Sequence, residues 1–178
     1  AAGRAARQTL DTAAAAALAI AAAVPDGEDG ADDVVVGAGR FLLAWGGARD
    51  VPPATRDAVV ARAGPRLLAH GDEAHRADVV ARIARVEGDA ATALLRRVLA
   101  GTRFTPAAAA RPADAADGVE GPIARFAAAY ALLDRGDVAS HDAIRALAPS
   151  LAPPERAWIE RKLASPLPRR EARPPTDR

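Results

Sequence analysis

Between Pro122 and Ala164 the apolar positions recur at helical spacing and are cut at two places. Ile123, Phe126, Ala127, Tyr130 and Leu133 fall at i, i+3, i+4, i+7 and i+10, which predicts a helix over 122–135 with these residues inward. Gly136-Asp137 then stops it. Ser140 is placed to cap a second helix over 141–148, with Ile144, Leu147 and Ala148 inward and Pro149 as its end. Pro153-Pro154 opens a third helix to Ala164, in the first turn where proline is tolerated, packing Ile159, Leu163 and part of Trp158.

The same punctuation appears upstream. Thr55 is placed to cap a helix running to His70, with Val59, Val60, Ala63 and Leu67 inward. Gly64-Pro65 predicts a kink or a split in it. Gly71-Asp72 follows: the glycine suits the left-handed position after a helix end, and the aspartate can accept the next helix's free N–H groups. A helix over 73–86 should bury Ala77, Val80, Ile83 and Ala84. Gly88-Asp89 repeats the joint, and helix 90–100 should bury Ala91, Leu94, Leu95, Val98 and Leu99. Residues 101–121 read as an insertion, with a short Ala-rich helix at 107–110 and then a loop low in bulky apolar residues.

The first fifty residues are less uniform. Residues 3–23 read as a helix with Leu10, Ala14, Ala17, Leu18 and Ala21 on one face. Thr12 to Ala23 also has the layout of a weak signal-peptide core, although Asp11 stands where that core should begin. Residues 25–31 form an acidic turn whose spacing does not fit a calcium loop. In 32–47 the apolar run before Gly37 and Gly39 resembles a dinucleotide-binding turn, but Leu42 holds the place of the third glycine. The helical reading puts Val34, Ala38, Phe41 and Trp45 on one face. From Ser165 onward the tail to residue 178 is Pro- and Arg-rich and expected to be disordered.

Composition fits a helical chain with small side chains in its core. Ala supplies 50 of 178 residues, and it has the highest intrinsic helix propensity. The aromatics are few: Phe41, Trp45, Phe104, Phe126, Tyr130 and Trp158. A formal net charge of +1 gives no electrostatic case for nucleic acid or an acidic membrane surface. No stretch reaches the roughly 18 apolar residues of a membrane span, so no integral membrane segment is expected. Without Cys there is no disulfide or thiol chemistry, and without Met the chain reads as a processed form or a piece of a longer protein.

Three spellings suggest chemistry and all fall on the joints. Asp72-Glu73-Ala74-His75 spells a helicase-type acidic box, but that chemistry needs a phosphate-cradling loop ending in Lys, and Lys162, the single lysine, follows no such loop. His70, Asp72, Glu73 and His75 are ligand types for zinc, yet they straddle two helices, so local geometry does not converge them. Arg135-Gly136-Asp137 spells an adhesion tripeptide and reads better as another helix joint. No residue is assigned a catalytic, cofactor-binding or metal-binding role.

Arg76-Ala77, Arg125-Phe126-Ala127 and Arg156-Ala157 each stand near a helix start, and each leads into an apolar helical face. This resembles degenerate HEAT-like repeats of the PBS-lyase type over about 73–164, and more loosely over 1–72. Such units run ~40 residues. Here 49 residues separate Arg76 from Arg125 and 31 separate Arg125 from Arg156. The 101–121 insertion accounts for the longer interval. The Trp-Leu-Gly-Tyr pattern of tetratricopeptide arrays is absent.

The resemblance implies an all-α fold, a solenoid-like array of antiparallel helix pairs, about seven to nine helices in one domain over 1–164. It further implies a non-catalytic scaffold that binds another protein or another domain of the same chain. The alternative is a helical ligand- or metal-binding domain, or an accessory domain of a larger enzyme.

Overall fold

The computed structural model describes residues 53–69, 71–104 and 120–165. The readings of 3–23, 25–31, 32–47, 107–110 and the tail after Ser165 lie outside these residues, as does His70. The described chain is all-α. Its helices are α1 (Pro53–Ala69), α2 (Glu73–Ile83), α3 (Asp89–Leu99), α4 (Pro122–Asp134), α5 (His141–Leu147) and α6 (Pro153–Ala164). Short 3-10 turns at Val138–Ser140 and Ala148–Ser150 flank α5. No helix among the described residues is long and apolar enough to cross a membrane.

The core is aliphatic, as the composition requires. Leu67 and Leu68 of α1, Ile83 of α2, Leu95 and Leu99 of α3 and Leu132 of α4 are fully buried. Ile144 and Leu147 of α5 and Ile159 of α6 extend it. Each such side chain contributes about 1.5–3 kcal/mol. All five positions expected inward on α3 are buried. Helix α1 begins at Pro53 rather than after Thr55, and Gly64-Pro65 does not split it. Val60 and Ala63 before the proline and Leu67 and Leu68 after it are all buried, which outweighs the roughly 3 kcal/mol cost of an interior proline. Gly64 has its own reason: a β-carbon there would overlap the Leu94 side chain of α3.

Helix directions follow from contacts at their ends. Arg56 near the start of α1 pairs with Glu87 beyond the end of α2, at 3.6 Å, so these helices are antiparallel. Arg125 near the start of α4 donates to the Leu99 carbonyl at the end of α3, and Arg135 after α4 donates to Thr92 Oγ1 near the start of α3. That pair is antiparallel too. Helices α1 and α3 pack against each other, as do α2 and α4.

Both of these packed pairs run parallel and share one device. Asp57 of α1 accepts the Ala90 N–H at the start of α3, at 3.1 Å. Glu73 of α2 accepts the Ile123 N–H at the start of α4, at 2.6 Å. In each case the capped helix starts from a glycine, Gly88 or Gly121, whose β-carbon would overlap the capping carboxylate. An acid of one helix thus satisfies a free N–H of its parallel neighbour and complements the positive end of that helix. This corrects the expectation for Gly88-Asp89: Asp89 lies inside α3, and the cap comes from Asp57.

The arginines near helix starts form a second series. Arg76, Arg125 and Arg156 are each the fourth residue of their helix, in α2, α4 and α6. Each donates to carbonyls at the end of the preceding helix: Gly71 for Arg76, Leu99 for Arg125, and Ala148, Pro149 and Leu151 for Arg156. Helix ends leave carbonyls without partners, and the guanidinium fork takes them. Arg76 also pairs through Nε with the buried Glu120 at 2.9 Å. The Glu120 N–H donates to the Gly101 carbonyl, so the two ends of the 101–121 segment are tied together.

Of the two other joints, one meets expectation and one differs. Asp72 caps α2 by accepting the His75 N–H at 2.8 Å, after Gly71 at φ +74°, as the pattern requires. Ser140, however, does not cap α5: it lies in the 3-10 turn and donates its hydroxyl to Asp137. Asp137 in turn is held by Arg96 of α3.

Helix α4 shows the largest departure. Ile123 and Tyr130, expected inward, are 49% and 50% exposed. Leu133 is buried as expected and Phe126 and Ala127 are partly buried, but the rest of the buried face is Ala124, Ala128, Ala129, Ala131 and Leu132. Helix α4 packs against α2 and α3 together. Its methyl side chains let the axis approach both, which larger residues on that face would prevent. On α2 the shift is smaller: Val79, Val80 and Ile83 are buried, while Ala77 and Ala84 are only partly so, and the helix ends at Ile83 rather than 86.

Candidate interaction surface

The side chains displaced from the core by this packing build the most distinctive surface of the described chain. Helices α2 and α4 lie side by side with an open apolar groove of ≈ 400 Å³ over their contact. One bank is Ala77 and Ala81 of α2 with Ala84 just past its end, a low shelf of methyl groups. The other is Ile123, Phe126 and Tyr130 of α4, a ridge of large side chains. Arg85 stands at the end of the shelf and Asp134 at the corresponding end of the ridge.

Helix α6 supports the ridge from behind. The Trp158 ring stacks on Tyr130 with centroids 4.5 Å apart and planes 16° apart. Phe126 meets the same indole edge-on, at 6.0 Å and 79°. Lys162 Nζ lies 5.5 Å from the indole centroid. Stacked and edge-on pairs of this kind stabilise by about 0.5–1.5 kcal/mol beyond the area they bury. They also hold Tyr130 in place although half of it faces solvent. Three of the four aromatic residues among the described residues are committed to this cluster, and of the four only Phe104 is buried.

Beyond the groove end, polar groups converge around Arg135. Its Nη2 donates to the carbonyls of Ile83, Ala84 and Val86, closing the C-terminus of α2. The guanidinium of Arg96 clasps Asp137 through both carboxylate oxygens. Those hydrogen bonds, reinforced by the Ser140 hydroxyl, hold the Asp137 carboxyl below its usual range, and the pair raises Arg96 in turn.

Of the residues singled out as possible metal ligands, His70 lies outside the described residues, and Asp72 and Glu73 are turned to backbone. Asp72 accepts the His75 N–H and Glu73 the Ile123 N–H. Among the described residues no group of three or more His, Cys, Asp or Glu is placed to hold a metal ion. The adhesion spelling dissolves similarly, because Arg135 and Asp137 are held by different partners inside the fold. Glu120, read as part of a loop, is buried against Arg76; nothing in the local pattern distinguished it. The shelf alanines carried a faint signal, as a face of α2 whose alanines repeat at i, i+4 and i+7.

No protein-family model matches the chain, and no curated protein or solved structure matches it either.

Proposed function

We propose that this chain is a non-catalytic protein-interaction scaffold built from HEAT-like helix pairs. The observation that carries this reading is the ridge beside the groove. A chain with only six aromatic residues leaves half of Tyr130 exposed and stacks it on Trp158, which Phe126 meets edge-on, rather than burying it. Aromatic side chains held rigid at a surface are the usual anchors of protein interfaces, because little side-chain entropy is lost when they are covered.

The repeat part of the reading is supported by the two duplicated devices. Asp57 and Glu73 cap parallel neighbours in the same way, and Arg76, Arg125 and Arg156 hold the same helical position. Parallel packing of α1 with α3 and of α2 with α4 is what stacked helix pairs produce.

The test is capture from an extract of the source cells with the complete chain and with Tyr130→Asp. The charge falls on a half-exposed position, so the fold should survive, as circular dichroism will report. A protein retained by the wild type and lost by the variant supports the scaffold. Identical capture by both, or none by either, counts against it.

A further inference from the structure

We propose that the α2–α4 face joins two copies of this chain about a twofold axis lying along the groove. This rests on the scaffold reading and names the partner of its surface. A twofold interface sets one patch against itself, so every feature must find its complement on that same patch.

A rotation about an axis parallel to the groove exchanges its two banks. It lays the Ile123, Phe126 and Tyr130 ridge of one copy over the Ala77, Ala81 and Ala84 shelf of the other. Large side chains then meet methyl groups on both sides of the axis. The same rotation preserves position along the groove, so the end carrying Arg85 and Asp134 meets its own counterpart. Arg85 lies on the shelf bank and Asp134 on the ridge bank. Each Arg85 therefore faces the Asp134 of the other copy, and both charges are matched at once.

Both residues are exposed. Among the described residues, neither side chain forms an ion pair or a hydrogen bond within its own chain. This pair of opposite charges across the groove is what favours a second copy over an unrelated helix, which would require no relation between the two banks. A formal net charge of +1 offers little long-range repulsion between copies. The face is built from two short helices, and small interfaces of this kind form transient complexes. The dimer should therefore be weak and exchange rapidly, with a dissociation constant on the order of 100 μM.

Sedimentation velocity on the complete chain, from about 10 μM to about 1 mM, tests this. The wild type should shift from monomer to dimer across that range. Arg85→Asp alone and Asp134→Arg alone each set like charges opposite one another, and each should weaken the dimer at least about tenfold. An equimolar mixture of the two variants should associate again as a mixed dimer, because one native Arg85–Asp134 pair is kept and the other is re-formed with its signs exchanged. Tyr130→Ala should weaken the dimer by removing the ridge.

A wild type that stays monomeric overturns the proposal. So do single variants that dimerise like the wild type, or a mixture that fails to associate. If the wild type is monomeric but Tyr130→Asp still loses a captured protein, the dimer falls and the scaffold stands. If neither is seen, both fall.

Discussion

Glu73 and Ile123 are joined across fifty residues: the Glu73 carboxylate accepts the Ile123 N–H at 2.6 Å, in the space where Gly121 lacks a side chain. This contact fixes the start of α4 beside the start of α2, and so sets the banks of the groove. Glu73→Ala should cost about 1 kcal/mol, the usual worth of an N-terminal cap. Gly121→Ala should cost a similar amount by displacing the carboxylate, since Gly121 has φ −70°, which alanine adopts without strain. The double variant should then be no less stable than Glu73→Ala alone. Urea denaturation of the four proteins checks it, and additive losses would refute the shared cause.

The Arg76–Glu120 pair is buried, with side chains 9% and 0% exposed. Removing one partner leaves the other charged and enclosed. Glu120→Ala should therefore destabilise by about 3 kcal/mol. Replacing both, as Arg76→Met with Glu120→Leu, should cost less than the single change, though Gly71 also loses its donor. Chemical denaturation of both variants decides between them.

The Arg96–Asp137 pair links stability to pH. The carboxyl of Asp137 is lowered in the folded state, chiefly by its hydrogen bond to Arg96. A group lowered on folding adds stability above its unfolded pKa of about 3.9 and loses it as pH falls through the folded value. Stability should therefore begin to decline as pH drops below about 4, and part of that decline should vanish in Asp137→Asn. Thermal melts of wild type and variant between about pH 2 and pH 7 give the comparison.

The orientation of α4 makes a prediction opposite to ordinary intuition about size. Ala128 is fully buried, whereas Ile123 is half-exposed. Ala128→Leu should destabilise by about 1–3 kcal/mol through overpacking. Ile123→Ala should cost less than about 1 kcal/mol, because little of its burial is lost. If the order is reversed, the ridge faces the core and the groove does not exist.

The residue pattern alone establishes the all-α class, the glycine joints and the inward face of α3, because these depend on helical spacing and on backbone conformations that glycine permits. The Asp72 cap belongs to the same group: donor and acceptor lie within one turn. It also places arginines near helix starts, without showing that they reach back to the preceding helix. The face of α4 could not be chosen in this way, since both of its sides are apolar and periodicity does not rank alanine against tyrosine. Only the packing of α4 against α2 and α3 together selects the small face and leaves Ile123 and Tyr130 half-exposed. Asp57 with Ala90, Glu73 with Ile123, and Arg76 with Glu120 are also products of assembly, because their partners lie 33, 50 and 44 residues apart. The groove belongs with them: its two banks are separate helices, each unremarkable until the fold sets them side by side.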